Sequence, residues 1–149
     1  MKHLVAFTFT FLFILTGFAQ QPGLPKPKLF INFPDIINCS ATELARVFAS
    51  SEGQQIDLAF SNGFNFGGAV ISNVVKYSNL QTAIIKSTDF DNTIFQLSKR
   101  TNPDNSITFV GHIINQNYFD GYELKTDAAG NYQLIKIETD SVIQIDSFH

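Results

Sequence analysis

From Gln54 onward the chain is a series of short β-prone runs broken by turn residues, and this pattern limits its fold more than any other feature. Ile56, Leu58 and Phe60 alternate with Asp57 and Ala59, and Asn62-Gly63 follows as a hairpin turn signal, because such turns need φ > 0 at both central positions. Further runs lie at 69–77, 81–87, 93–99, 107–113, 123–126 and 132–137. They are separated by turn clusters at 89–92, 101–105 and 127–130. Within 107–113, Ile107, Phe109, Gly111 and Ile113 share one face. The in/out pattern shifts between Leu134 and Ile135, which predicts a β-bulge there. Residues 29–33 read as a first short strand, stopped by Pro34.

Only one helix is available. Ser40-Ala-Thr-Glu43 is a capping-box pattern, in which the Ser40 hydroxyl accepts from the backbone of Glu43 while Glu43 reaches back. Leu44, Val47 and Phe48 then form one apolar stripe, and Gly53 supplies a stop. The spacing predicts an amphipathic helix over 41–51. With no second helix for parallel crossovers, the expected fold is α+β and mostly β: this helix packed on a curved antiparallel sheet of about six or seven strands. A small β-barrel or sandwich with one helix is the alternative.

The N-terminus is a different kind of sequence. Lys2 precedes an apolar run of 12 residues, Leu4 to Leu15, and Gly17-Phe18-Ala19 sets small residues where a signal peptidase reads them. A spanning helix needs roughly 20 apolar residues, so the run is too short for one. Residues 1–19 are therefore expected to be a secretory signal peptide cleaved after Ala19, and the product to be secreted or periplasmic. Pro22, Pro25 and Pro27 make 20–28 an extended linker. Residues 29–149 form the single expected domain.

Without the leader, 9 basic side chains face 13 acidic ones, since Lys2 is the only charged residue removed. A formal charge of −4 offers no footprint for nucleic acid, and no basic stretch suits an anionic membrane after cleavage. Cys39 is the only cysteine, which rules out an internal disulfide. The core must rest on apolar burial, with Phe30, Phe33, Phe48, Phe60, Phe95 and Phe109 as its expected body.

Catalytic chemistry has one weak candidate. Cys39 lies just before the helix start, where a thiol pKa can be lowered, and His112 is the only histidine within the body of the domain. The plainer reading makes Cys39 a small buried hydrophobe and His112 a strand residue opposite Phe109 and Ile113. His149 is terminal, and the histidines have no metal-ligand spacing. Asp89 and Asp91 begin like a calcium loop, but Ile94 replaces its glycine and Arg100 its bidentate glutamate, so no metal or cofactor is expected. Two aromatic segments suit a binding surface: Phe64 and Phe66 beside Gly67-Gly68, and the turn carrying Tyr118, Phe119 and Tyr122. The resulting expectation is a non-enzymatic exported binding module for an extracytoplasmic protein, peptide or glycan. Two alternatives are a small exported hydrolase or thiol enzyme using Cys39 and His112, and a structural surface component self-associating through a sheet edge.

Overall fold

The turn clusters deliver a meander. The computed structural model describes residues 25–139; the leader, the first five linker residues and His149 lie outside the described residues. The strands are β1 (Ile36–Cys39), β2 (Gln55–Ala59), β3 (Asn65–Tyr77), β4 (Leu80–Ser87), β5 (Ile94–Thr101), β6 (Ile107–Ile114), β7 (Asp120–Thr126) and β8 (Tyr132–Glu138), with one helix, α1 (Ala41–Ala49). All eight form one antiparallel sheet in the order β1-β8-β7-β6-β5-β4-β3-β2, curled into a half-barrel. The sheet has eight strands rather than six or seven, because every run after the helix pairs and β1 joins β8.

Curling brings the two edge strands together. The Asn38 N–H in β1 donates to the Ser61 hydroxyl beyond β2, at 2.7 Å. Inward-facing residues fill the concave side: Ile37, Leu58, Phe66, Ile85, Phe95, Leu97, Ile113, Tyr122 and Leu134 are all fully buried. Helix α1 covers part of this face with Leu44, Val47 and Phe48, and Phe48 stacks on Phe109 at 5.9 Å. Its C-terminal carbonyls, which have no partner inside a helix, are satisfied from the sheet. The Asn73 carboxamide donates to Val47, Phe48 and Ser50, and Gln81 donates to Phe48.

Local departures from expectation have physical causes. Residues 29–33 do not form a strand; the Leu29 and Phe30 N–H groups donate instead to the buried Asp120 carboxylate, at 2.6 and 3.0 Å. This turns Phe30 inward as an aromatic plug against Phe33, Phe64, Phe90 and Tyr122. Of the six expected core phenylalanines, Phe33 alone stays partly buried, packed against the core. The helix ends at Ala49 rather than 51, since Ser50 is already extended. Ser40 caps Thr42 rather than Glu43, and Glu43 pairs with Arg46. The Asn62-Gly63 turn is a 3-10 turn over Ser61–Gly63 inside a longer loop, closed by Phe60 N–H to the Phe64 carbonyl. The loop is longer than two residues because Phe60 and Phe64 both enter the core and stack at 6.3 Å. No bulge occurs at Leu134–Ile135, where the register with β7 and β1 is continuous. The bulges sit in β3 instead, between Val70 and Ser72 and between Val75 and Tyr77. Ile135 takes the outer face and Leu134 the core.

Candidate functional site

The outer face of β4, β5 and β6 carries a pocket of about 590 Å³. Its sheet residues follow from register. Lys86, Ile94 and Ile114 are paired in one row, and Gln96 and His112 in the next. Directly paired residues share a face. Their chain neighbours Ile85, Phe95 and Ile113 are fully buried on the other side. Ile71, extruded at the β3 bulge, completes an aliphatic floor with Ile94 and Ile114.

Two loops make the rim, and their own hydrogen bonds hold them. In the β4–β5 loop the Ser87 hydroxyl accepts from the backbone N–H groups of Asp89 and Phe90, and the Phe90 ring packs among Phe30, Phe64 and Phe66. Asp91 and Asn92 then adopt φ of +43° and +59°, a region these two residue types tolerate best among those with a Cβ. Asn115, buried at the start of the β6–β7 loop, ties the two loops together. Its amide donates to the Asp91 carbonyl at 2.9 Å and to the Thr93 hydroxyl at 3.2 Å, and its oxygen accepts from Asn117 N–H. The Tyr118 hydroxyl adds a bond to the Asp91 carboxylate at 3.1 Å, which holds that phenol above its ordinary pKa. The side chains of Gln96, Gln116 and Asn117 line the pocket and make no hydrogen bond among the described residues. Gln96 is half-buried, so its uncommitted carboxamide is already partly desolvated.

The residues expected to form a site are placed differently. Phe64, Phe66 and Tyr122 are wholly buried, and the rings offer no surface to a ligand. Tyr122 donates its hydroxyl to the Pro34 carbonyl at 2.7 Å, and burial raises its pKa well above the usual phenol range. Aromatic residues beside glycines and turns here fill the half-barrel rather than decorate it. Tyr118 and Phe119 are half-buried beside the rim, the former through Asp91 and the latter with Lys28 Nζ 5.7 Å from its ring centroid.

Cys39 and His112 are not brought together. Cys39 points into the core, while His112 lies on the outer face, paired with Glu123. Three strand steps separate β1 from β6, about 14 Å along the sheet. Burial pushes the Cys39 thiol up to about 12, the opposite of nucleophile activation. Cys39 also borders a cleft of about 630 Å³ at the seam between β1 and β2. The polar groups there are spent on each other: Asp127 accepts from the Ala129 and Asn131 backbone, and Gln133 donates to Asn38. As for cations, Asp91 is engaged by Tyr118, and no group of three acidic, histidine or cysteine side chains gathers among the described residues. Nor is any described helix long and apolar enough to cross a membrane.

The outer-face pocket had a trace in the sequence. Strict alternation would leave the outer face polar, yet the doublet Ile113-Ile114 must place one isoleucine on each side, and Ile114 joins the pocket floor. No known protein family, no curated protein and no solved structure matches this chain.

Proposed function

We propose that the protein is an exported, non-enzymatic binding module whose ligand docks in the pocket on the outer face of β4–β6. The observation that carries the reading is the pocket's make-up: an aliphatic floor, a cross-tied rim and carboxamides with no partner among the described residues. A preformed site loses little entropy when it binds. Export rests on the leader, whose short apolar run and small-residue cleavage pattern suit secretion. The thiol-enzyme reading draws no support from Cys39 and His112 on opposite faces. Self-association through a sheet edge draws little, because the Asn38 N–H on the β1 edge is already bonded to Ser61.

Amide NMR of the labelled protein, titrated with the concentrated extracellular fraction of its native source, tests the reading. Shifts should concentrate at Lys86, Gln96, Ile114 and Asn117, and the ligand eluted afterwards should be chemically unchanged. Turnover of that ligand, or shifts centred on the Cys39 seam, would overturn it.

A further inference from the structure

We infer that the ligand of this pocket is a neutral carbohydrate, an inference that rests on the binding reading above. The first reason concerns what the site cannot do. Strands β4, β5 and β6 are interior to the sheet, and each pocket residue they contribute is paired with a neighbouring strand. A peptide main chain is recognised best at an open strand edge, and none lies here. Recognition must come from side chains.

Those side chains suit hydroxyl groups. Each carboxamide presents one acceptor oxygen and two donor hydrogens, and a sugar hydroxyl is likewise donor and acceptor. A single Gln or Asn can therefore meet two neighbouring hydroxyls with bonds of opposite sense. Gln96, Gln116 and Asn117 supply three such groups around one opening. With His112 counted neutral, the formal charges lining it are one of each sign, Lys86 and Asp91, and the Asp91 carboxylate is partly engaged by Tyr118. The lining thus balances its charges and favours neither an anion nor a cation. Beneath it, Ile71, Ile94 and Ile114 offer an apolar floor for the C–H face of a sugar ring. The volume, about 590 Å³, falls within the roughly 300–1,000 Å³ of small-ligand sites.

Affinity electrophoresis of the purified protein tests this, in native gels cast with xyloglucan, galactomannan, laminarin or mannan, and in one cast with anionic polygalacturonate. At least one neutral polymer should retard the protein. Gln96→Leu and Asn117→Ala should each weaken that retardation roughly fivefold or more, the size of one lost neutral hydrogen bond. Both sites tolerate change without loss of a described hydrogen bond from the side chain, and circular dichroism with a melting curve verifies folding. Glu43→Gln, on α1 and outside the pocket lining, should leave retardation unchanged. Retardation by polygalacturonate alone would overturn neutrality. Retardation indifferent to both pocket variants would overturn the site. If no polymer retards the protein while the extracellular fraction still shifts Gln96 and Asn117 by NMR, carbohydrate is wrong and the binding module stands. If neither occurs, both readings fail.

Discussion

Replacing Asp120 by asparagine should destabilise the domain by about 2–3 kcal/mol, although it removes only a charge and adds no bulk. Asp120 is 2% exposed, and its two oxygens each accept one backbone N–H, from Leu29 at 2.6 Å and Phe30 at 3.0 Å. An amide has a single acceptor oxygen, so one N–H must face an NH₂ group instead. Hydrogen bonds to a charged acceptor are worth about 1.5–3 kcal/mol, and a stranded buried donor costs about 1–3 kcal/mol; the two describe the same loss, which sets the figure. The consequence reaches the core, because these bonds orient Phe30, whose ring centroid lies 5.1 Å from Tyr122 and 5.3 Å from Phe90. Phe30→Ala alone should cost about 3–5 kcal/mol through the cavity it leaves. If Asp120 acts by seating Phe30, the two losses overlap, and the double variant should fall short of their sum by about 1 kcal/mol or more. Urea unfolding measures all four proteins, with the slope m as the check that the denatured state is unchanged. An Asp120→Asn loss below about 0.5 kcal/mol, or strict additivity, would refute the plug's dependence on that carboxylate.

Other consequences can be read from buried groups. The Cys39 thiol, pushed up to about 12, should resist alkylation at pH 8 in the folded protein and react at once in denaturant; rapid labelling of the native form would contradict its burial. Cys39 and Tyr122 both hold their protons more tightly folded than unfolded, so above about pH 9 the unfolded chain binds fewer protons and stability must fall as pH rises. Urea midpoints should therefore decline from pH 8 to pH 10.5, and the decline should be shallower in Cys39→Ala. Asn73→Ala removes the side-chain donor of the Ser50 carbonyl at the end of α1, Val47 and Phe48 keeping Ser50 N–H and Gln81, and should cost about 1–3 kcal/mol, with hydrogen exchange rising first in α1. Gly68→Ala puts a Cβ against the Lys86 backbone carbonyl, which cannot swing away as a side chain would, so it should destabilise more than an Ala at Gly53, where space is open and only the φ of +85° is strained.

How far the fold was legible depended on the range of the forces involved. The meander was readable because its turns are local. Asn102 to Asn105 and Asp127 to Gly130 close on themselves with hydrogen bonds between near neighbours. The helix was readable for the same reason, as a stripe of Leu44, Val47 and Phe48. Residues 29–33 were misread because their conformation is decided by Asp120, some ninety residues away. Their alternation suits a strand, yet a carboxylate that takes two of their N–H groups leaves the ladder fewer donors. The strand formed three residues further on, at Ile36–Cys39, where β8 was open to pair.

The candidate site was less legible, and the reason is geometric. Its floor and walls come from β3, β4, β5 and β6 and from two loops, so no window of sequence holds more than a fragment of it. Aromatic residues drew attention because they bind well when exposed, but a half-barrel without disulfides needs them inside. Phe64, Phe66 and Tyr122 meet that need. What remained for the surface were isoleucines and carboxamides, residue types with no motif of their own. The Ile113-Ile114 doublet was the usable signal. Along a strand, two adjacent isoleucines cannot both reach the core, so with Ile113 buried the doublet leaves Ile114 on the far side. Ile114 lies beside Ile94 on the next strand, so the outer face acquires an apolar floor, and the polar residues that flank it become the place to look for a ligand.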